Sequence, residues 1–465
     1  MKKYFLAIAS FFIYSHISLG QVYPGQMDST FVPVRSHHYD PELTFDFCVN
    51  EPAWSNQAGI HSAFGSTDRL YFRKEVPVNH DNDLSSSYST TVWRGERANA
   101  QILVWSSEAL EQVRVSTQDL RSAEGNIIPK DRITFELVRY VLSNYPYAEK
   151  KAICGESPYK SGFLMPDRFE TLDRFDLPSQ TTRPVWMMVD VPRGTVPGTY
   201  KGQVEVRAKG KAPQLLNLEI VVQNQLLPYP KDWKYRLDLW QNPWAVAWYN
   251  HVEPWSPEHK MLLKQHLKHY ADAGGTYITT YGVHSPWSDN SYMIEGGMIE
   301  WIKKADGTWA FDYKIFDEYV ELAMECGIDE AITLYTPIPW GFRHRYKDEA
   351  TGDYSYINWA PSSEEFKKMW NIFLTDFKFH LEAKSWLDIT YIGINENPME
   401  ETLAAINVVR NHDKCWKITY AGNWHKELDG LLDDYSFLYG EEPTIAEQKA
   451  RPPPDARPPY TYAVT

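Results

Sequence analysis

The sequence predicts a multidomain chain in which an N-terminal antiparallel β-sandwich precedes a (β/α)8 TIM-type barrel. Three observations carry that prediction. At 465 residues the chain exceeds one ordinary domain, which makes two the natural count, one of them large enough for a barrel. Residues 32 to 222 read as short alternating strands broken by Gly, Pro and Asp, without a long amphipathic helix. Past the proline-marked linker "QNQLLPYPKDW", residues 223 to 233, strand-like and helix-like stretches alternate instead. The division that follows is a signal peptide over 1–20, a sandwich over 21–228, a barrel over 229–440 and an irregular Pro-rich tail over 441–465.

The N-terminus, "MKKYFLAIASFFIYSHISLGQ", sets Lys2 and Lys3 before an apolar run from Tyr4 to Tyr14, then the small residues Ser18 and Gly20. That is the pattern of a secretory signal peptide cleaved near Gly20. The run is short for a bilayer, and no later stretch offers about 20 unbroken apolar residues. The expectation is an exported protein, periplasmic, cell-surface or secreted, with no membrane span. Cys48, Cys154, Cys326 and Cys415 form no CxxC pair and no zinc-like pattern, so neither a metal nor another cofactor is expected, while disulfide status stays open.

Charge narrows the partner. With 47 Lys+Arg against 61 Asp+Glu the net charge is -14, which gives no electrostatic footprint for nucleic acid or an anionic membrane. A neutral or small polar ligand fits better. Aromatic residues make up 15%, including 18 Trp and 30 Tyr, and flat aromatic faces suit the apolar faces of sugar rings, although an aromatic-rich core accounts for the same count.

In the first half, "RLYFRKEVPV", "ANAQILVWSS", "EQVRVSTQDL", "RPVWMMVDVP" and "TYKGQVEVRAKG" read as period-2 strands, and "VPRGTVPGTYKGQVEV" as a strand, a Pro-Gly turn and the returning strand. No catalytic constellation stands out there. In the second half "KYRLDLW" leads through "SPEHKMLLKQHLKHYADAGG", whose Leu262, Leu263, Leu267 and Tyr270 recur at helical spacing, to the strand "TYITTYGVH". The unit repeats. "YKIFDEYVELAMECG" reads as helix, "IDEAITLYTPIPW" as strand, "SSEEFKKMWNIFLTDFKFHLEAK" as helix with Ser362 and Glu365 as its capping box, and "LDITYIGINENPMEE" as a strand entering the helix "MEETLAAINVVRNHDK". Then "WKITYAGNWH" and "LLDDYSFLYG" follow as strands. Alternation of this kind implies a parallel sheet, and the lack of a Gly-rich phosphate loop after the first strand weakens a nucleotide-binding alternative.

Chemistry in such barrels sits where strands end. Reading those ends in order gives Trp240 and Trp244, then Tyr281, His284 and Trp287, then Tyr335 and Trp340, then Asn395 and Glu396, then Asn423, Trp424 and His425. One carboxylate stands among many aromatics. Cleaving a glycosidic bond needs a proton donor, stabilisation of an oxocarbenium-like centre and stacking surfaces for the sugar. Glu396 is the candidate acid, and a ring of aromatics would disfavour its charged form and raise its pKa. The competing reading is that an acidic residue ahead of "NPMEE" only complements a helix dipole.

"TTVWRGERANAQILVW" with Trp93, Arg94, Gly95, Glu96 and Gln101, "RPVWMMVDVPRGTVPGTYKGQVEV", the Trp- and Tyr-rich start of the barrel, and above all "GINENPMEE" carry a resemblance over most of residues 30 to 440. The chain resembles glycoside hydrolase family 123, exported bacterial proteins that join a β-sandwich to a (β/α)8 barrel. The resemblance implies hydrolysis of terminal β-linked N-acetylgalactosamine by a substrate-assisted route. It implies that the sugar's 2-acetamido oxygen attacks the anomeric carbon, a Glu matched by Glu396 protonates the leaving oxygen, and a preceding Asp orients the acetamido N–H and balances the oxazolinium charge. Asn395 stands where that Asp belongs. An amide oxygen can still accept the N–H, but it supplies no negative charge, a loss worth on the order of 10² to 10³ in rate. Trp240, Tyr281, His284, Trp287, Tyr335, Trp340, Asn423 and Trp424 are the expected substrate-binding residues, with Glu396 and Asn395 catalytic.

Two alternatives accompany this reading. In another large group of barrel glycosidases an Asn-Glu pair ends a strand, with the Glu as acid/base and a second Glu as nucleophile, for which Glu441 and Glu442 in "LYGEEP" are the candidates, at about 5 to 5.5 Å from the first. The other is an inactive relative that binds carbohydrate without turnover. After Gly440 the stretch "EEPTIAEQKARPPPDARPPYTYAVT" shows no helix or strand pattern, so the last units of an eight-fold barrel are expected to be missing. The residues 285 to 312 are the other place where uncounted strands could lie.

Overall fold

The computed structural model describes residues 51–79, 84–143, 163–234, 236–287 and 296–437, with three short strands, Met27–Asp28, Glu42–Leu43 and Tyr460–Tyr462. The signal-peptide segment, Cys48, Cys154, Glu441 and Glu442 lie outside the described residues. The chain divides into two compact units, Met1–Leu227 and Pro228–Thr465.

The first unit is a β-sandwich. A five-stranded and a seven-stranded sheet contribute side chains to one apolar core, in which Ile102 and Val104 of Arg97–Ser106 and Val185, Met187 and Val189 of Thr181–Asp190 come from one sheet. Val204 and Val206 of Gly198–Arg207 and Leu218 and Ile220 of Gln214–Leu226 come from the other. Their alternation along each strand is the period-2 signal expected of a half-buried sheet. One pairing is parallel, Gln214–Leu226 with Ser87–Arg94.

Two expectations for this unit are corrected. "RLYFRKEVPV" forms no strand; it is held as a loop whose Tyr71 and Arg73 are buried and whose Arg73 carbonyl accepts from the Thr182 N–H at 2.8 Å. Burial of alternate side chains makes a period-2 pattern in either state, so the text alone did not separate them. The stretch "VPRGTVPGTYKGQVEV" is not a hairpin. Thr181–Asp190 pairs with Arg97–Ser106 and Ile133–Ser143, whereas Gly198–Arg207 pairs with Gln214–Leu226 and Leu110–Thr117, so the Pro-Gly segment carries the chain from one sheet to the other.

The second unit is α/β. Its parallel sheet runs Tyr277–Tyr281, Ala331–Tyr335, Thr390–Ile394, Lys417–Ala421, Asp434–Phe437 and Tyr460–Tyr462, with neighbours in sequence order throughout. Sequential order without a reversal is the order of a β/α barrel and differs from that of a doubly wound sheet. The first strand expected at "KYRLDLW" shrinks to a single parallel bridge, Leu237 to Gly275. The tail expected to be irregular contributes Tyr460–Tyr462, parallel to Asp434–Phe437. Three residues behind a run of prolines are too few to show a period.

Helices Pro257–Asp272, Lys314–Glu325, Glu364–Lys384 and Met399–His412 connect the strands. The cap of Glu364–Lys384 is Ser363, whose hydroxyl accepts from Phe366 N–H at 3.1 Å, one residue later than the Ser362 capping box expected. A second, four-stranded sheet joins Glu300–Lys303 and Trp309–Asp312 to Arg343–Asp348 and Tyr354–Asn358. The 285 to 312 segment therefore does hold strands outside the parallel sheet. This sheet packs on Glu364–Lys384 through Trp301, stacked on Phe373 at 4.8 Å between ring centroids, and Trp301 Nε1 donates to the Gly282 carbonyl at 2.8 Å. That bond ties the inserted sheet to the end of the Tyr277–Tyr281 strand.

Candidate active site

Period-2 alternation decides what each strand end presents. A Cβ on Gly393 would meet Thr333 Cγ2 and the Tyr335 ring at 2.9 Å, so Gly393 shares a face with Thr333 and Tyr335 and leaves room for that ring. Asn395, two residues on, follows the same face. It is 3% exposed. Its Oδ1 accepts from Thr336 Oγ1 at 3.3 Å and from Asn397 Nδ2 at 3.0 Å, and Asn397 Nδ2 also donates to the Ile338 carbonyl at 3.0 Å. Both lone pairs of the amide oxygen are thereby engaged, while Asn395 Nδ2 is buried with no partner.

Glu396 takes the opposite environment. It is exposed, and its Oε1 accepts from the Asn423 backbone N–H at 3.2 Å, at the end of the Lys417–Ala421 strand. The enclosure by aromatics expected for Glu396 is not found: it is exposed at the next strand end, with Tyr420 as a neighbour. It is not a helix cap either. Met399–His412 has Pro398 at its N-cap and carries Glu400 and Glu401 in its first turn, so those residues complement the dipole. Gly422 makes the placement possible: a Cβ there would stand 2.5 Å from Glu396 Cγ and 2.8 Å from its Oε1 and from Tyr420 Oη. Burial, with the Glu396 charge adding to it, pushes the Tyr420 phenol up to about 12.

The aromatic residues gather at the other strand ends. Trp240 stacks on Trp287 at 5.9 Å and meets Tyr335 edge-on at 5.4 Å, and Trp287 meets Tyr281 edge-on at 5.3 Å. Trp240 is 50% exposed, whereas Trp287, Tyr281 and Tyr335 are buried. Tyr281 and Tyr335, expected to bind substrate, are instead buried, Tyr335 against Trp240 and Tyr281 against Trp287. Trp244 is buried in the helix Pro243–Tyr249 against Tyr281. Trp340 and Trp424 are half-buried at the edge of the core, Trp340 donating its N–H to the Pro286 carbonyl at 2.9 Å. Asn423 is exposed, and its carbonyl accepts from Tyr435 Oη at 2.7 Å, while the same hydroxyl accepts from the His425 N–H. His284 lies apart, beside Arg343 and Arg345 in a cleft with Ser285 and Tyr356.

One functional-looking residue escaped the sequence reading. Asp238, between Arg236 and Trp240, has an Oδ1 sealed from solvent and unpartnered, and burial with the Asp434 charge pushes its carboxyl up to about 7 against the pull of Arg236. Arg236 itself pairs with Asp434 at 3.3 Å. The alternation Arg236, Asp238, Trp240 in "KYRLDLW" was the available signal. Among the described residues no cluster of three or more His, Cys, Asp or Glu could hold a metal ion.

An exposed carboxyl at one parallel strand end and a partly open Trp platform at others are the parts a hydrolase of carbohydrate chains uses. Two family models specify it further. The glycoside hydrolase 123 catalytic domain matches residues 240–464 and the glycoside hydrolase 123 N-terminal domain matches residues 64–208. The chain belongs to glycoside hydrolase family 123. Among solved structures it is similar to a family 123 glycoside hydrolase from Clostridium perfringens, described in terms of glycolipid glycan hydrolysis, with 25% identity and a TM-score of 0.71 over 82% of this chain and 67% of that one. A family 39 glycoside hydrolase from Bacteroides cellulosilyticus, 13% identical over 70% of this chain and 55% of that one, has a TM-score of 0.25, which carries no argument here. No curated protein matches the sequence.

Proposed function

We propose that this glycosidase removes terminal β-linked N-acetylgalactosamine by a substrate-assisted route, slowly, with Glu396 as the acid. The observation that carries the proposal is the pair at the Thr390–Ile394 strand end: an exposed Glu396 fixed by the Asn423 N–H, preceded by a buried Asn395. In the first step the acetamido oxygen bonds to the anomeric carbon, the glycosidic bond breaks, and the leaving oxygen takes the Glu396 proton. Water then opens the oxazolinium and returns a proton to Glu396. Trp240 offers the sugar a flat face, and no cofactor enters.

Asn395 explains the slowness. Its Oδ1 already accepts from Thr336 and Asn397, so what it has left to offer is the Nδ2 donor, the wrong partner for an acetamido N–H. A carboxylate at this place would keep those two bonds on one oxygen and free the other as an acceptor, with the charge restored. The proposal includes export, with the mature chain beginning near Gln21. Hydrolysis of a chromogenic β-N-acetylgalactosaminide tests it: turnover by the wild type, loss in Glu396→Gln and gain in Asn395→Asp are expected. No turnover even by Asn395→Asp would sink it. Equal turnover of the matching β-galactoside, which has no acetamido group, would replace the route with double displacement.

A further inference from the structure

The antiparallel strands Arg343–Asp348 and Tyr354–Asn358 set two arginines over two tyrosines. Arg345 lies over the Tyr354 ring at 4.2 Å and Arg343 over the Tyr356 ring at 3.8 Å. The two arginines are two residues apart and share a face, so the stacking repeats. Their remaining partners differ. Arg345 faces Glu300 at 3.5 Å, and Glu300 also accepts from Tyr354 Oη at 3.1 Å, so that cation is neutralised within the fold. Arg343 has the stacked ring but, among the described residues, no carboxylate and no hydrogen-bond acceptor for its guanidinium. It is exposed toward an open cleft of about 110 Å³ lined by His284, Ser285, Arg343 and Tyr356.

Among the described residues the other wall of this cleft is formed by His284 and Ser285. Burial, with Arg345 and Arg343 adding to it, pushes the His284 imidazole down to about 4, so at neutral pH it is an uncharged donor and acceptor. A guanidinium held flat by a ring keeps its fork of N–H donors oriented, which suits a planar or tetrahedral oxyanion better than a neutral hydroxyl. On a chain of net charge -14 an exposed guanidinium that lines a cleft without a carboxylate partner among the described residues is not the default surface. The cleft follows the Tyr277–Tyr281 and Ala331–Tyr335 strand ends, the side of the sheet on which Trp240, Trp287 and Tyr335 gather.

We infer that the cleft of His284, Ser285, Arg343 and Tyr356 binds an oxyanion substituent, a sulfate ester or a carboxylate, carried by the glycan that the enzyme hydrolyses. Arg343 supplies the charge and the forked donors, Tyr356 fixes the guanidinium plane, and the uncharged His284 adds a hydrogen-bonding group. The glycan part of this inference rests on the proposed function; the anion part does not.

The test is equilibrium binding by titration calorimetry to the full chain, with four probes: a β-N-acetylgalactosaminide, its monosulfated form, a disaccharide carrying a glucuronate, and inorganic sulfate. Wild type is expected to bind one of the two anionic glycans roughly tenfold or more tightly than the uncharged glycoside, the value of about one charge-assisted hydrogen bond. The larger gain identifies sulfate or carboxylate as the source. Arg343→Gln should abolish the preference and Arg343→Lys retain part of it, since it keeps the charge without the fork. Equal affinity for charged and uncharged probes in the wild type overturns the inference, as does a preference that survives Arg343→Gln. Inorganic sulfate bound in an Arg343-dependent way, with no glycoside hydrolysed, upholds the anion site and removes the glycosidase mechanism proposed above.

Discussion

Glu396 and Asp238 are two carboxyl groups of the α/β unit, and their environments are opposite. Glu396, expected to be ringed by aromatics, is exposed and held by one backbone N–H. Asp238, which drew no attention as text, has its Oδ1 sealed from water next to Asp434 and is pushed up to about 7. The difference teaches that a carboxyl just past a strand end keeps its access to solvent, whereas one just past a single bridge can be sealed by what packs over it. The pair therefore separates a carboxyl open to solvent from one whose protonation is coupled to folding.

The largest expected effect breaks the comparison at its exposed member. Glu396→Gln keeps the shape and the acceptor for the Asn423 N–H but removes the proton, and a general acid is worth roughly 10²- to 10⁴-fold. kcat/KM on a chromogenic β-N-acetylgalactosaminide should fall by that factor while the melting temperature stays put, because an exposed side chain is replaced by its isostere. Asp238→Asn should do the reverse.

For Asp238 the folded carboxyl binds its proton more tightly than the unfolded one, so stability is fully present below the unfolded value near 4 and is lost as pH rises toward about 7. By linkage the whole effect is roughly 4 kcal/mol at most, and Arg236 and Asp434, which face the group, share in it. Denaturant unfolding between pH 4 and 8 should show a midpoint that declines with pH in the wild type and a flatter profile in Asp238→Asn. A flat wild-type profile would mean that water reaches the carboxyl after all.

Asn395→Asp sharpens the contrast by adding a charge beside Glu396. It should raise kcat on the same substrate by on the order of 10² with little change in KM, because the charge interacts with the oxazolinium that forms and not with the ground-state sugar. A rise in affinity without a rise in kcat would assign Asn395 to uniform binding. Gly422→Ala tests the placement from outside the pair: its Cβ would press on Glu396 Cγ at 2.5 Å, so the carboxyl must shift, and activity should drop about tenfold for a small displacement.

How far the text carried follows from what each feature depends on. The alternation of Ala331–Tyr335, Glu364–Lys384, Thr390–Ile394 and Met399–His412 is local, written in period 2 and period 3.6, and it was legible. The transfer of the chain between sheets after Asp190 was not, since a Pro-Gly turn reads the same whether the next strand pairs with the last or with another sheet. Asn395 and Glu396 were found because a strand end is a local event. Asp238 was missed because its state depends on burial in the fold and on the charge of Asp434, almost two hundred residues later, and no local pattern encodes that meeting. The state of Arg343 was hidden for the same reason: its ring partner and the neighbouring Glu300 come from different strands of the inserted sheet.

The smallest expected effect concerns the Trp240 platform. Trp240 is half exposed, stacked on Trp287 and braced by Tyr335, so its orientation is fixed before any sugar arrives. Replacing it with Ala removes one stacking face, worth about 0.5 to 1.5 kcal/mol beyond area, and leaves Glu396 and its Asn423 contact untouched. KM should rise by about fivefold with kcat nearly constant, the signature of binding shared equally by ground and transition states. Trp240→Phe should recover much of the loss, since a smaller ring still presents a face. If kcat falls along with kcat/KM, the ring also orients the sugar against Glu396, and the division between a binding side and a reacting side of the strand ends has to be redrawn.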